Sequence, residues 1–149
     1  MEHTKYWIIV ASQDHVELGV KEGISQACHG KSGPLARMRP GDWVIYYSPK
    51  TRFKGGEPCQ SFTAIGRIKS GNIYQTDMGD GFRPFRRDVE FFKNNPVPIR
   101  PLVHGLSFIK NKKSWGYMFR FGFFEIPQQD FDLISSGMLV SNKEAVFEC

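Results

Sequence analysis

The residue types that could do chemistry are concentrated in two polar stretches of the chain. The first stretch holds Ser12, Asp14 and His15, the residue types of a hydrolytic triad. Side chains so close in sequence rarely reach triad geometry, since a triad is defined by how its members meet in space. A Ser or Asp at this kind of position more often caps a helix. The stretch therefore predicts a helix start and does not by itself indicate catalysis.

The second stretch resembles the end of a phosphate-binding P-loop through Gly30-Lys31-Ser32. That motif needs another Gly five residues before Gly30, where this chain has Ser25. No predicted strand leads into the loop either, so nucleotide hydrolysis of the P-loop type is excluded. The segment Gly79–Pro84 lacks the third Gly of a dinucleotide fingerprint and opens no helix, which excludes that class as well.

Metal and disulfide chemistry have little support in the sequence. The cysteines are Cys28, Cys59 and Cys149, an odd number without a C-x-x-C spacing, so neither a disulfide scaffold nor a zinc ribbon is indicated. His15, Cys28 and His29 could converge in space, but their spacing does not demand it. We therefore expect no metal site and no cofactor.

Aromatic side chains are a stronger theme, because nucleobases bind by stacking on rings. The large rings considered are Trp7, Trp43, Trp115, Tyr46 and Tyr47. Most of them are expected to fill the core, where aromatic residues dominate burial. Trp115 is the exception, because it lies between a Lys-rich turn and a Gly. It is the ring expected to face a ligand.

Basic residues are spread over several predicted loops and strands. They include Arg52, Lys54, Arg83, Arg86, Arg87 and the Lys110–Lys113 run. The net charge of +5 and the isoelectric point of about 9.2 favour an anionic partner. From charge alone the basic residues form either a track for phosphates or a solvated surface.

The strand pattern predicts a small mixed β-barrel rather than a βαβ sheet. A chain of 149 residues suits one domain, and its 15 Gly and 9 Pro predict many turns. The predicted strands are Tyr6–Ala11, Trp43–Ser48, Ser61–Ile68, Ile73–Gln75, Phe85–Phe92 and Tyr117–Ile126. Trp43, Ile45 and Tyr47 are expected on one face of their strand, and Val44, Tyr46 and Ser48 on the other. The strand before Ser70–Asn72 and the one after it are expected to form a hairpin.

Helices are predicted after Ser12, at Pro34–Met38 and after Pro127. Asp14 and Glu17 fit a capping box, and Val16 and Val20 share a spacing that would face the core. Phe131, Ile134 and Met138 follow helical spacing in the last helix. The Pro40-Gly41-Asp42 turn should place Asp42 to bond the next backbone amides. Gly66 predicts a close backbone approach.

The N-terminus has no apolar run long enough for export, and no run approaches membrane-spanning length. We therefore expect a reduced, cytoplasmic protein that has no membrane partner.

A set of motifs, taken in order, is specific where each motif alone is not. The motifs are Ser12-Gln13-Asp14-His15-Val16, His29-Gly30-Lys31 with Pro34-Leu35, Gly41-Asp42, Tyr46-Tyr47-Ser48-Pro49, Phe62-Thr63-Ala64-Ile65-Gly66, Arg86-Arg87-Asp88-Val89 and Trp115-Gly116. Together they resemble the EVE-domain family of the PUA-like superfamily, which is related to YTH domains. The resemblance covers about residues 4–139 and leaves the tail from Val140 uncovered. It implies an α+β, PUA-like fold, a small curved β-barrel with flanking short helices, over residues 1–149.

The resemblance also implies a non-catalytic module that binds DNA or RNA. Its pocket would accept a modified base, methylated or hydroxymethylated, that is flipped out of the stack. The pocket positions carried over are Ser12, Asp14, His15, His29, Gly30, Lys31, Tyr47, Ser48, Trp115 and Arg120. Phosphate contacts are expected from Arg52, Lys54, Arg86, Arg87 and Lys112. Cleavage or signalling would then require a separate nuclease or effector protein.

The roles of these residues are hypotheses at this point. Trp115 and Tyr47 would stack on the base, and His29 and Lys31 would hold the flanking phosphate. The edge of the base would be bonded by Ser12, Asp14 and Ser48.

Two other classes of function stay open. An enzyme of the hydrolase type, acting on a modified nucleoside or small base-like molecule, would use Asp14, His15 and Lys31 for acid–base chemistry; the ASCH group of related folds resembles such a case. A protein-interaction domain would instead use the basic face for an acidic partner.

Overall fold

The chain folds around a curled β-sheet with helices on both faces. The computed structural model describes residues 4–26 and 31–148, with side chains as far as residue 139. Within these residues the strands are β1 (Tyr6–Val10), β2 (Ile24–Ser25), β3 (Trp43–Lys50), β4 (Pro58–Ile68), β5 (Tyr74–Gln75), β6 (Phe85–Phe92), β7 (Val97–Pro98) and β8 (Phe123–Ile126). The helices are α1 (Gln13–Glu22), α2 (Ser32–Arg37) and α3 (Gln128–Glu148), with 3-10 helices at Arg100–Gly105 and Tyr117–Phe121.

The sheet has the strand order β2-β6-β4-β3-β1-β8, with β5 beside β6 and β7 beside β4. β1 and β3 pair in parallel, and the other described pairs are antiparallel. The path of six strands curls strongly into a half-barrel. This confirms the predicted α+β class and the curved barrel with short flanking helices.

A hydrophobic core lies on each face of the sheet, and β3 contributes to both. Trp43, Ile45 and Tyr47 join the core that is covered by α3 and the 3-10 helices. Val44 and Tyr46 join the core that is covered by α1 and α2. The predicted alternation along β3 is therefore confirmed, and it follows from the two-residue period of a strand.

A buried carboxylate, Asp42, joins the start of β1 to the turn before β3. It is 3% exposed and accepts hydrogen bonds from the backbone N–H of Lys5 at 3.0 Å and of Arg39 at 3.0 Å. It also accepts one from the indole Nε1 of Trp7 at 2.9 Å. The prediction that Asp42 bonds the amides after it is wrong, because these partners all precede it in the chain. The carboxylate thereby fixes the parallel register of β1 against β3.

Replacing Asp42 by Ala should destabilise the protein strongly. The change leaves three donors without their acceptor, one of them a buried indole, so we expect a loss of about 3–5 kcal/mol in the free energy of unfolding. Urea unfolding followed by tryptophan fluorescence measures this loss. Asp77→Ala is the matched control, because Asp77 is exposed and accepts a single backbone bond from Gly79. Equal losses in the two variants would contradict the role given to Asp42.

Gly66 lies where β4 comes close to β6. A Cβ atom at this position would lie 2.7 Å from the carbonyl oxygen of Glu90 and 2.7 Å from Cγ1 of Val89. The predicted close backbone approach is therefore confirmed. Any side chain at Gly66 would push β6 away from β4.

The prediction of one continuous last strand over Tyr117–Ile126 is wrong in its first half. Residues Tyr117–Phe121 form a 3-10 helix, and only Phe123–Ile126 is a strand. Gly122 separates the two with a φ of 77°, a left-handed conformation that glycine adopts easily. Helical geometry also exposes Phe121, which the strand pattern placed on the same face as Phe119 and Phe123.

Three smaller predictions also differ from the structure. β5 pairs with β6 and not with β4, so the predicted hairpin is wrong. At α1 the N-cap position belongs to Ser12 rather than Asp14, and no side chain caps the helix. Val16 is buried as predicted, but Val20 is 40% exposed because the last turn of α1 lies outside the core. In α3 the predicted core positions Phe131, Ile134 and Met138 are buried.

None of the helices in the described part of the chain is long and apolar enough to cross a membrane.

Candidate functional site

Four strand ends meet at one border of the sheet, which we call the strand-end edge. β1 and β3 run in parallel, so their carboxyl ends lie side by side. β4 begins at the same border, where Pro58 lies opposite Lys50, and β8 begins there with Phe123 opposite Ile9. The segments that connect these strands therefore converge, although they are far apart in sequence.

Backbone hydrogen bonds join these segments to each other. The N–H of Val10 donates to the carbonyl of Gly122 at 2.9 Å, which attaches the 3-10 helix Tyr117–Phe121 to the end of β1. The N–H of Asp14 donates to the carbonyl of Thr51 at 3.0 Å, which attaches α1 to the loop after β3. The backbone of the strand-end edge is thus held in place from both faces of the sheet.

Ser12 and Asp14 form the polar centre of the edge. The hydroxyl of Ser12, a buried residue, donates to Oδ1 of Asp14 at 2.5 Å, and the N–H of His15 donates to the same oxygen at 2.9 Å. The hydrogen bond from Ser12 is the main cause that lowers the pKa of the Asp14 carboxyl below its ordinary value, and the His15 N–H adds to it. Asp14 is therefore held as an exposed anion that accepts hydrogen bonds.

Removing the Ser12 hydroxyl should raise the pKa of Asp14 towards its ordinary value. Ser12→Ala loses the donor that favours the ionised form, so the carboxylate should protonate at higher pH. A titration of the Asp14 carboxyl carbon by NMR measures the change. Above about pH 4 the wild type should have a larger free energy of unfolding than Ser12→Ala. This difference should disappear as the pH falls through the lowered pKa that Asp14 has in the folded wild type. Ser136→Ala, which removes an exposed hydroxyl bonded to the Leu133 carbonyl, should leave the titration unchanged; an unchanged titration in Ser12→Ala would contradict the assignment.

Large exposed rings lie on two of the segments that meet at the strand-end edge. Phe53, Tyr117 and Phe121 are 52%, 55% and 55% exposed. The ring of His15 stacks on Phe53 with centroids 5.3 Å apart, and Tyr117 meets Phe121 edge-on at 5.7 Å.

Cations accompany these rings. The guanidinium of Arg120 lies 5.6 Å from the centroid of Tyr117, and the exposed Arg52 and Lys54 flank Phe53 in sequence. The strand-end edge thus carries both exposed ring faces and positive charge, two features that are common in sites for single-stranded nucleic acid.

Trp115 lines a cleft beside the 3-10 helix. The cleft has a volume of about 390 Å³ and is lined by Ile109, Lys110, Asn111, Ser114, Trp115, Tyr117 and Met118. Trp115 is half-buried and packs against the core, and the guanidinium of Arg100 lies 5.3 Å from its ring centroid. Among the residues whose side chains the structure describes, no acidic one lines the cleft.

Tyr47 and Ser48 lie deeper than the sequence hypothesis requires. Tyr47 is 2% exposed, and its ring stacks on Phe119 with centroids 3.9 Å apart, which leaves no gap for a base between them. Burial raises the pKa of the Tyr47 hydroxyl. Ser48 is fully buried and shares a hydrogen bond of 2.7 Å with the hydroxyl of Thr63. We therefore assign both residues to the core beneath the edge.

The other loop of the hypothesis is described only in part. His29 and Gly30 lie outside the described residues. Lys31 is exposed and occupies the N-cap position of α2, which contacts β6.

Two predicted phosphate contacts, Arg86 and Lys112, have other partners in the structure, and a third, Arg87, is buried. Arg86 forms an ion pair with Glu22 at 3.5 Å and donates from Nε to Gln26 at 3.1 Å. Arg87 is buried, and that burial lowers the pKa of its guanidinium, opposed by the charge of Asp42. The ammonium group of Lys112 donates to the carbonyls of Val103 and Leu106 at 3.1 and 2.9 Å.

Arg86 and Lys112 thus bond to other groups of the protein and Arg87 is buried, so their contact with phosphate stays a prediction. Arg52 and Lys54 remain on the exposed surface.

Among the residues with described side chains, no group of three His, Cys, Asp or Glu is placed to hold a metal ion. Of the candidate ligands, Cys28 and His29 lie outside the described part of the chain, and His15 stacks on Phe53.

Sequence reasoning missed Phe53, Tyr117, Phe121 and Arg100 as members of this surface. A Phe within a basic, Gly-rich loop could have indicated Phe53, since such a loop offers no core to bury it. Tyr117 and Phe121 are four residues apart, a spacing that marks one face only when the segment is helical. Arg100 carries no local signal.

Comparison with known proteins gives the family. Residues 5–137 match the EVE domain. A Bacillus licheniformis protein named "UPF0310 protein in gntR 5'region" is 51% identical over 128 residues, which cover 86% of this chain and 87% of the relative. The UPF0310 protein YdcG of Bacillus subtilis is 43% identical over 139 residues, which cover 93% of this chain and 95% of the relative.

Solved structures share the fold at low sequence identity. The Mmi1 YTH domain superposes with a TM-score of 0.57 at 8% identity, over 99% of this chain and 79% of that one. The protein Atu2648 of Agrobacterium tumefaciens superposes with a TM-score of 0.51 at 14% identity, over 88% of this chain and 90% of that one. The curled sheet is therefore of the PUA/YTH type.

Proposed function

This chain belongs to the EVE-domain family, and from that premise we propose that it is a non-catalytic nucleic-acid-binding module with a pocket for a modified base. The observation that carries the proposal is the strand-end edge, where segments bearing exposed rings and cations converge: Phe53 stacks on His15 next to the Ser12–Asp14 hydrogen bond, and the 3-10 helix with Tyr117 and Arg120 is attached to the end of β1. The shared fold of the Mmi1 YTH domain supports the architecture that such a module requires.

In this proposal the cleft beside Trp115 receives a flipped base. Trp115, Tyr117 and Phe121 supply ring surface, and Ser12 and Asp14 offer hydrogen-bond partners for a polar edge. Arg52, Lys54 and Arg120 attract the phosphates that flank the base. Methylated or hydroxymethylated cytosine and methylated adenine are the bases to consider, in DNA or RNA.

The free energies of base extrusion and stacking predict a module with modest selectivity for a modified base. Extruding a base from a duplex costs a few kcal/mol, and stacking returns about 1–3 kcal/mol per base. Phosphate contacts must supply the remainder, so affinity should fall steeply with salt. An apolar slot distinguishes one extra methyl group by only about 1–3 kcal/mol.

Asp14 argues against the alternative of a hydrolase. A general acid or base is most effective when its pKa lies near the working pH, which for a carboxyl requires a raised pKa. The environment of Asp14 instead lowers its pKa. Its carboxylate is better suited to accept a hydrogen bond from a base edge than to transfer a proton.

Binding of labelled oligonucleotides, measured by fluorescence anisotropy at stated salt, tests the proposal. Duplex and single-stranded oligonucleotides carry methylated cytosine, hydroxymethylated cytosine, methylated adenine or no modification. We expect tighter binding to one modified form. Trp115→Ala and Phe121→Ala should each weaken that binding by about 5- to 100-fold, because each removes a stacking surface.

Phe82→Ala is the matched control, since Phe82 is an exposed ring in the loop between β5 and β6. It should bind like the wild type. Equal, salt-sensitive binding to all oligonucleotides would reduce the function to that of a basic surface, and an absence of binding would overturn the proposal.

A further inference from the structure

Gln60 has an unusual backbone conformation that connects it to Arg100. Its φ is 47°, one of two positive values among the described non-glycine residues, and the pairing of β3 with β4 is irregular at this point. Residues other than glycine rarely adopt a positive φ, and residues held in such a conformation are often found at functional sites. The carbonyl of Gln60 accepts a bond from Ile99 at 3.0 Å, and its side-chain Oε1 accepts one from Nε of Arg100 at 3.0 Å.

Arg100 is held on two sides by these neighbours. Its Nε is bonded to Gln60, and its guanidinium lies over the ring of Trp115 at 5.3 Å. The residue is exposed, and its two terminal nitrogens have no hydrogen-bond or carboxylate partner in the described part of the chain. The guanidinium therefore presents two oriented donors to solvent, the arrangement that binds a phosphate group bidentately.

The position of Arg100 connects these donors to the strand-end edge. β7, which precedes Arg100, pairs with the first half of β4, where Pro98 lies opposite Ser61. Trp115 is shared, because it packs under Arg100 and also lines the cleft. Lys110 adds a second cation to the cleft lining.

We propose that Arg100 binds the phosphodiester next to the base in the Trp115 cleft, and that Gln60 is the positioning residue that orients it. The proposal rests on the proposed function, because the ligand is a nucleic-acid strand. It adds a phosphate contact that charge patterning alone did not identify. The stacked and bonded guanidinium loses less freedom on binding than a mobile lysine would.

A comparison of Arg100→Gln with the wild type tests the phosphate contact. Affinity for one oligonucleotide is measured over a series of salt concentrations. Arg100→Gln should weaken binding by about tenfold. It should also make the plot of log K against log salt less steep, by the amount expected for one lost phosphate contact. Arg100→Lys should restore the slope but only part of the affinity, because it keeps the charge and loses the fork.

Arg67→Gln is the matched control. Arg67 also lies over a tryptophan, Trp43 at 5.0 Å, but its Nε and Nη2 both donate to the carbonyl of Gly41. The Arg67→Gln variant therefore loses an arginine–tryptophan contact at the border of the sheet opposite the strand-end edge. Thermal unfolding of each variant confirms that it is folded, and Arg67→Gln should bind like the wild type.

A second measurement isolates the role of Gln60. Gln60→Ala should weaken binding, but the double variant with Arg100→Gln should bind no more weakly than Arg100→Gln alone, because Gln60 acts through Arg100. Oligonucleotides with one neutral methylphosphonate at successive positions locate the contact. One position should weaken wild-type binding and have no effect in Arg100→Gln.

The outcomes separate the two proposals. If the wild type prefers a modified base but Arg100→Gln keeps its affinity and salt slope, the inference about Arg100 is overturned and the base pocket stands. If Arg100→Gln loses affinity while the wild type shows no preference among bases, the phosphate contact stands and the base pocket is overturned. A wild type that binds no oligonucleotide overturns both.

Discussion

The arrangement of the whole sheet depends on one buried carboxylate. Asp42 accepts hydrogen bonds from Lys5 just before β1, from Trp7 within β1 and from the turn before β3, and so it holds the starts of the two parallel strands side by side. Parallel strands cannot be joined by a tight hairpin, so a long segment separates β1 from β3 and no short turn sets their register. A carboxylate is well suited, because an ionised acceptor makes stronger bonds than a neutral one.

The parallel pair has a direct effect on the surface that we assign to nucleic acid. Two carboxyl ends lie at one border, and the strands antiparallel to them begin at the same border. Segments that are more than 100 residues apart, such as those of Val10 and Gly122, therefore come into hydrogen-bond contact. The rings and cations of these segments form one surface only because the backbone beneath them is fixed.

Strand positions could be predicted where burial dictates the sequence. β1 is apolar on both faces and β3 alternates between two cores, so length and periodicity were sufficient. The segment Tyr117–Phe121 also alternates, but its helical turn depends on Gly122 and on packing that the sequence does not display. Tyr47 carries the right residue type for stacking, and only the structure shows that Phe119 already occupies its face. Arg100 acquires its position from Gln60, 40 residues earlier, through a backbone conformation that has no sequence signature.

The open ends of the half-barrel have a consequence for behaviour at high concentration. An open sheet has two borders at which another chain could add a strand and begin aggregation. In this sheet the six-strand path ends on β2, of two residues, and on β8, of four residues, which is followed at once by Pro127. Strands this short offer few backbone groups as a template, and proline cannot donate to an added strand. We therefore expect the two ends of this sheet path to resist self-association by strand pairing.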